Sequence, residues 1–276
     1  MAENRSRISE TFREFEHGGW QRVAGGYHDY FSSLTGQTIS PLLDAVGADR
    51  STNLLDIATG PGYAAAAAAQ RGAQVIGVDF SAVMVEKASQ LYPGLSFQEA
   101  DAQALPFASG SFDAAIMNFG LLHLDKPEQA LREAYRVLRP GGRFGFTVWA
   151  QPDKAVAFGL VLRGIEEHGN PNVPLPPGPP FFRFSDPAES GQTLVQAGFV
   201  SPAIDIVSMS WQLASPADLF KAFYQGTPRT GGLLRAQTSE DLANIEAAVT
   251  RAAQKYVQND VLQIPMAALV VSAIRD

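Results

Sequence analysis

From Asn53 onward, short apolar runs alternate with longer stretches whose apolar residues recur at helical spacing. The runs "NLLDIA", "AQVIGVD", "LSFQEAD", "FDAAIMN" and "GRFGFTVWA" are rich in branched and aromatic residues, and predict strands. Between them, Tyr63 to Arg71, Ser81 to Leu91 and Pro127 to Leu138 predict helices. Pro127 suits a first helical turn, where its missing N–H costs nothing, and "RPGG" at Arg139 to Gly142 predicts the stop of that helix before the next strand. Regular strand–helix alternation places helices on both faces of a parallel sheet, a doubly wound, Rossmann-like α/β fold.

After Ala150 the alternation breaks. A helical stretch at Ala155 to Glu167 leads into the proline-rich "NPNVPLPPGPPFF". The segment "SDPAESGQTLVQAGF" predicts a capped helix feeding the strand "AIDIVSMSWQL". Then Leu242, Ile245, Val249, Ala252, Tyr256 and Val257 follow helical spacing, before a last apolar strand at Met266 to Ile274. The expected architecture is one domain over 1–276 with a seven-stranded, mostly parallel sheet whose last strand is antiparallel. Residues 46–150 form its cofactor-binding core, and 185–213 and 263–276 complete the sheet. A helical cap is expected from an N-terminal lid (1–45) and insertions at 151–184 and 214–262, neither insertion being large enough for a core of its own.

Composition narrows the chemistry. With 46% hydrophobic and 18% charged residues, the 276-residue chain can fill a globular core. A net charge of −7 offers no broad basic surface, so nucleic acid is not an expected partner. The chain has no cysteine, which excludes disulfides, thiolate metal sites and a thiol nucleophile; no metal site is expected. The segment "MAENRSRISETFREFEHGGW" is charged throughout, unlike a secretory signal, and the longest apolar runs are too short to span a bilayer. The expected location is cytoplasmic.

The stretch "LLDIATGPGYAAAAAAQ" carries the first chemical signal. Gly60, Gly62 and Ala65 spell G-x-G-x-x-A, and Asp79 follows about 20 residues after the first glycine, at the acidic ribose-binding position of a dinucleotide site. Glycines admit a ligand close to the backbone, a helix N-terminus offers free N–H groups, and the alanine run lets that helix pack tightly on the sheet. An NAD-dependent oxidoreductase is therefore one reading. Asp56 points elsewhere: a carboxylate at the strand's carboxyl edge would oppose a pyrophosphate and suit a ligand bearing an ammonium or sulfonium.

Five motifs in order, "LLDIATGPGY", "VIGVDFS", "EADAQALPF", "FDAAIMNFGLLHL" and "VLRPGGRFGFTVW", resemble class I S-adenosylmethionine-dependent methyltransferases of the type-11, ubiquinone-biosynthesis-like branch. The resemblance covers Leu54 to Trp149, and more weakly "WQRVAGGYHDYF" before it. It implies S-adenosylmethionine as cofactor, with Asp56, Ala58, Gly60 and Gly62 along its methionyl part and Asp79 on the ribose hydroxyls. Phe80 and Met84 would flank the adenine, Asp101 would accept from its amine beside Ala102, and Asn118 and Phe119 would close the pocket. The family usually has glycine where Ala58 stands, a departure that would trim the pocket.

Methyl transfer is an in-line displacement, so the enzyme's tasks are positioning, exclusion of water and, for a protonated nucleophile, a base. Of four histidines, His123 after the fourth strand and His28 in the N-terminal segment are candidate bases, each alternatively a packing residue; His17 and His168 read as surface residues. Aromatic residues outside the core motifs, notably Trp20, Tyr27, Tyr30, Trp149, Phe182 and Phe223, either line an apolar substrate pocket or form the cap's own core. The expected substrate is a small, apolar or aromatic molecule methylated on oxygen, carbon or nitrogen. A non-catalytic domain serving a partner is the remaining alternative.

Overall fold

A computed structural model of the chain describes residues 10–276. Five strands, β1 (Asn53–Ile57), β2 (Gln74–Asp79), β3 (Ser96–Glu99), β4 (Phe112–Asn118) and β5 (Leu138–Trp149), run parallel in the order β3-β2-β1-β4-β5. Beyond β5 lies β8 (Val261–Arg275), antiparallel to both β5 and the edge strand β6 (Phe199–Leu213). The crossover helices α3 (Tyr63–Gln70), α4 (Ala82–Leu91) and α5 (Pro127–Val137) connect the parallel strands. The fold is the Rossmann-like, mostly parallel α/β architecture that the alternation predicts.

Three local expectations need correction. The sheet has an eighth strand, the two-residue β7 (Val257–Gln258), hairpinned onto β8. Asn259 and Asp260, at φ 49° and 61°, supply the paired left-handed residues of a tight hairpin turn, so the helical spacing ends before Tyr256 and Val257. The last strand also begins at Val261, inside the stretch assigned to the cap. Finally, "RPGG" does not separate α5 from β5: Leu138 already pairs with Phe112, and Arg139 to Gly142 bulge out, Gly141 at φ 78°, before Arg143 resumes pairing with Ala114.

Two of the expected lid elements divide. Helix α2 (Ile39–Ala45) lies against the sheet, where Leu42 and Val46 pack so closely over Gly145 that a Cβ there would fall 2.9 and 2.8 Å from their side chains. Only α1 (Phe12–Thr35) reaches the cap, with Thr11 closing its start by a capping box. The glycine pairs in "HGGWQRVAGGY" explain that docking. A Cβ on Gly26 would meet the carbonyl of Gln225 at 2.4 Å, and one on Gly19 the ring of Pro228 at 2.7 Å. Thus α1 can lie directly on α8 (Pro216–Gly226) and the turn after it. Helices α6 (Val156–His168) and α10 (Ser239–Ala253) meet similarly at Gly164, whose missing side chain admits Val249. Phe158, Leu219, Phe223 and Val249 are buried in one continuous core with Phe146, Trp149 and Trp211 of the sheet. The cap helices and the sheet thus share one hydrophobic core. α7 (Pro187–Gln196) precedes β6, and α9 (Arg229–Arg235) links α8 to α10. No helix among the described residues is long and apolar enough to cross a membrane.

Candidate active site

The turn from β1 to α3 is held by three left-handed residues, Ala58 (φ 54°), Gly60 (φ 54°) and Gly62 (φ 84°). Gly62 is confined from behind, since a Cβ would strike the Phe97 ring at 2.8 Å, whereas Gly60 faces open space. α3 begins at a glycine with no capping side chain, and Asp56 substitutes: its Oδ2 accepts from the N–H of Ala65, in the helix's first turn, at 3.0 Å and from Thr59 Oγ1 at 2.6 Å. Asp56 is fully buried, Oδ1 has no partner, and burial pushes its pKa up to about 7. Asp56 thus lies beneath the turn, and neither it nor Gly62 lines the cavity above. Asp56 therefore sets no carboxylate against a ligand in the cavity and would not oppose a pyrophosphate there.

That cavity, about 950 Å³ including its mouth, opens at the carboxyl ends of β1, β2 and β4, where open α/β sheets bind ligands. Asp79, at the end of β2, lines it with only 6% of its surface exposed. Its Oδ2 accepts from Gly60 N and its Oδ1 from Ser81 N, both at 2.9 Å, which fixes the carboxyl plane and leaves lone pairs on both oxygens. Burial nevertheless raises its pKa to about 6. Phe80, Met84, Asp101 and Ala102 continue the wall. Asp101 is less available than the sequence suggests: Oδ1 accepts from Gln103 N at 2.9 Å, and Oδ2 pairs with Arg13 of α1 at 2.8 Å. Beside it, the buried Oε1 of Gln103 has no partner and offers a second acceptor on this wall.

The opposite wall comes from the end of β4. Asn118 accepts from Thr38 at 2.9 Å and Thr147 at 2.6 Å while donating to Thr35 O, so its amide also ties α1, α2 and β5 together. Phe119 is held at φ 56° and stacks on Trp149 with ring centroids 4.1 Å apart. His123 follows. Its Nδ1 is 3.0 Å from Oε2 of Glu16 in α1, where an Nδ1–H donates to the carboxylate. Glu16 is wholly buried, and Trp20 meets the His123 ring edge-on at 4.8 Å.

A second cavity of about 400 Å³ adjoins the first, with Trp20, Tyr27, Phe119 and His123 lining both. Phe31, Trp149, Phe158 and Phe181 make it aromatic, and Arg229 contributes its one cation. Of the aromatic residues singled out in the sequence, Trp20, Tyr27 and Trp149 reach these cavities. Tyr30, Phe182 and Phe223 do not: Tyr30 gives its carbonyl to Trp211 Nε1, Phe182 packs on Phe158 and Phe181, and Phe223 is wholly buried among Phe31, Phe158 and Trp211. His28 also stands back from both cavities, bonded through Nδ1 to the hydroxyl of Tyr63, which itself lines the first. His168 is exposed; His17 is half-buried, edge-on to Phe80. Glu16, Tyr63, Gln103 and Arg229 were not distinguishable in sequence, because their partners lie in other elements.

Residues 55–146 match the family model described as a methyltransferase domain. The chain is 39% identical over 111 residues to a demethylmenaquinone methyltransferase of Renibacterium salmoninarum, covering 40% of this chain and 47% of the relative. It is 45% identical over 116 residues to the enzyme of that description from Thermus thermophilus, covering 40% and 52%. The chain thus spans about half the length of the curated relatives it matches. Among solved structures, a S-adenosylmethionine-dependent methyltransferase from Thermotoga maritima superposes with a TM-score of 0.55 at 18% identity, over 95% of this chain and 100% of that one. Residues 55–146 thus carry the match to a methyltransferase domain, and the whole chain shares the fold of that solved structure.

Proposed function

We propose that this chain, whose residues 55–146 match a methyltransferase domain, transfers a methyl group from S-adenosylmethionine to a small, ring-bearing apolar acceptor. The observation that carries the reading is the place of His123, on the shared wall of the cavity built on Gly60 and Asp79 and an aromatic one built on Phe31, Trp149 and Phe158.

The residues of the first cavity fit that cofactor. Asp79 presents two oriented acceptors to a diol, and Gly60 leaves open space above the turn. Phe80 and Met84 offer apolar faces for a purine, with Asp101 and the unpartnered Gln103 Oε1 as acceptors for its amine. Tyr63 and Ala64, in the first turn of α3, line the same cavity, and the N–H groups of that turn not taken by Asp56 are a place for a carboxylate. When bound, S-adenosylmethionine supplies an electrophilic methyl group.

This chain's own residues do the rest. The aromatic cavity positions an acceptor and excludes water around it. His123, with Nδ1–H donated to Glu16, keeps Nε2 free to take a proton from the acceptor, and the buried carboxylate stabilises the imidazolium that results. Glu16 is a positioning residue in this scheme. The curated relatives are named for methylating demethylmenaquinone, which supports a quinone-like ring as the acceptor class here.

Incubation with isotopically methyl-labelled S-adenosylmethionine and hydroxynaphthalene or quinol acceptors tests the proposal by mass spectrometry. Label in a product, lost with Asp79→Ala, is expected. Cofactor binding with no transfer to any acceptor of this class would contradict it.

A further inference from the structure

On the walls of the two adjoining cavities stand two groups of opposite charge, Glu16 in the first and Arg229 in the aromatic one, each with hydrogen-bonding capacity left over. Oε1 of Glu16 is buried and has no partner, its other oxygen being engaged by His123. Nε of Arg229 lies 3.9 Å from that oxygen, beyond hydrogen-bonding range. Of the guanidinium's five N–H donors, one is spent, on the carbonyl of Pro179 at 2.9 Å. Arg229 is also held against the faces of Phe12 and Phe181, at 4.9 and 5.5 Å, and its burial lowers its pKa. Both groups are therefore fixed and largely desolvated, and each lines one of the two cavities that meet at His123.

We infer that Glu16 and Arg229 form a clamp for a hydroxyl group on the ring of the acceptor, the O–H donating to Glu16 Oε1 and the oxygen accepting from Arg229. This deepens the proposed function and rests on the aromatic cavity being the acceptor site. Charge excludes the other classes of group. A carboxylate or phosphate would be drawn to Arg229 but repelled by Glu16; an ammonium would face the reverse conflict. A methyl ether accepts but cannot donate, leaving Oε1 buried and unpaired. A neutral hydroxyl satisfies both sides, and the aromatic walls select the ring that bears it. The two residues lie outside residues 55–146, so this selectivity belongs to the cap and α1 of this chain.

Calorimetric titration of the full chain, with and without S-adenosylhomocysteine, using 1-naphthol, 1-naphthoate and 1-methoxynaphthalene, tests the clamp. In the wild type, 1-naphthol is expected to bind about tenfold tighter than either analogue. Arg229→Met and Glu16→Gln should each reduce that preference to less than about threefold, in proteins whose circular dichroism melts show them folded. Equal binding of the three probes by the wild type, or tightest binding of 1-naphthoate, overturns the inference. If the variants do not fold, the wild-type ranking alone decides. S-adenosylhomocysteine binding is read separately, so loss of the clamp and loss of the methyl-transfer reading give different results.

Discussion

Glu16 and His123 are joined by a 3.0 Å contact between a wholly buried carboxylate on α1 and an imidazole in the loop after β4. A carboxylate is seldom buried without a partner, and this one faces His123 on one oxygen and Arg229 at 3.9 Å on the other. The pair makes the N-terminal helix part of the cavity wall. Replacing His123 with alanine should lower kcat by roughly 10² to 10⁴, with S-adenosylhomocysteine affinity changed less than about twofold. Glu16→Gln should lower kcat and weaken acceptor binding together, again sparing that affinity. Steady-state kinetics paired with calorimetry checks both variants, and full turnover in His123→Ala would remove the base.

Asp79 supplies a pH signature. Burial raises its pKa to about 6, and hydroxyl donors from a bound ribose would favour the ionised form. Binding should then release protons, and affinity should rise as pH increases from about 5 to about 7. Asp79→Ala should cost roughly 1 to 3 kcal/mol of binding and flatten the profile. Titrations in buffers of different ionisation enthalpy read the proton release directly.

The same burial affects folding with the opposite trend. Asp56 and Asp79 have native pKa values of about 7 and about 6, above the ordinary 3.8, so the native state favours their protonated forms. Their contribution to stability is fully present below the unfolded value and is lost as pH rises through 6 and 7. The melting temperature of the ligand-free protein should therefore fall across this window, and less steeply in Asp79→Asn. Melts recorded every half unit check the difference in slope between the two proteins.

Ala58 carries a side chain in a left-handed conformation, at φ 54°, that glycine adopts without strain. Its methyl occupies the place a Cβ on Gly120 would take, 2.6 Å away. Ala58→Gly should stabilise the protein by about 1 kcal/mol, the relief of strain exceeding the added flexibility of the unfolded chain. Gly120→Ala should destabilise it, and Ala58→Gly should rescue part of that loss in the double variant. Denaturant melts of the four proteins measure the coupling.

The parallel core was legible because β1, β2 and β4 are short apolar runs bounded by turn residues, and because Pro127, Ser81 and the glycine turn mark helix starts by local chemistry. Asp79, Phe80, Met84 and Asp101 belong to that layer. The rest depends on contacts distant in sequence. Glu16 reads as one of several charges in an N-terminal helix until α1 docks and carries it to His123. Arg229 reads as a scattered cation until α9 sets it against Phe12 and Phe181. Phe182 and Phe223 share composition with Trp20 and Trp149, and only packing distinguishes the cap's core from the cavity wall. Asp56 shows the reverse case. Its acid signals a ligand, yet the backbone turns it under α3, where it serves as the helix's missing cap.

The cavity above Gly60 and Asp79 should hold S-adenosylmethionine rather than a dinucleotide. Calorimetric titration of the full chain with S-adenosylmethionine, S-adenosylhomocysteine and NAD tests it most directly. Binding in the micromolar range is expected for the first two, weakened by Asp79→Ala, with no measurable heat for NAD. Saturable NAD binding with none for S-adenosylhomocysteine would contradict it.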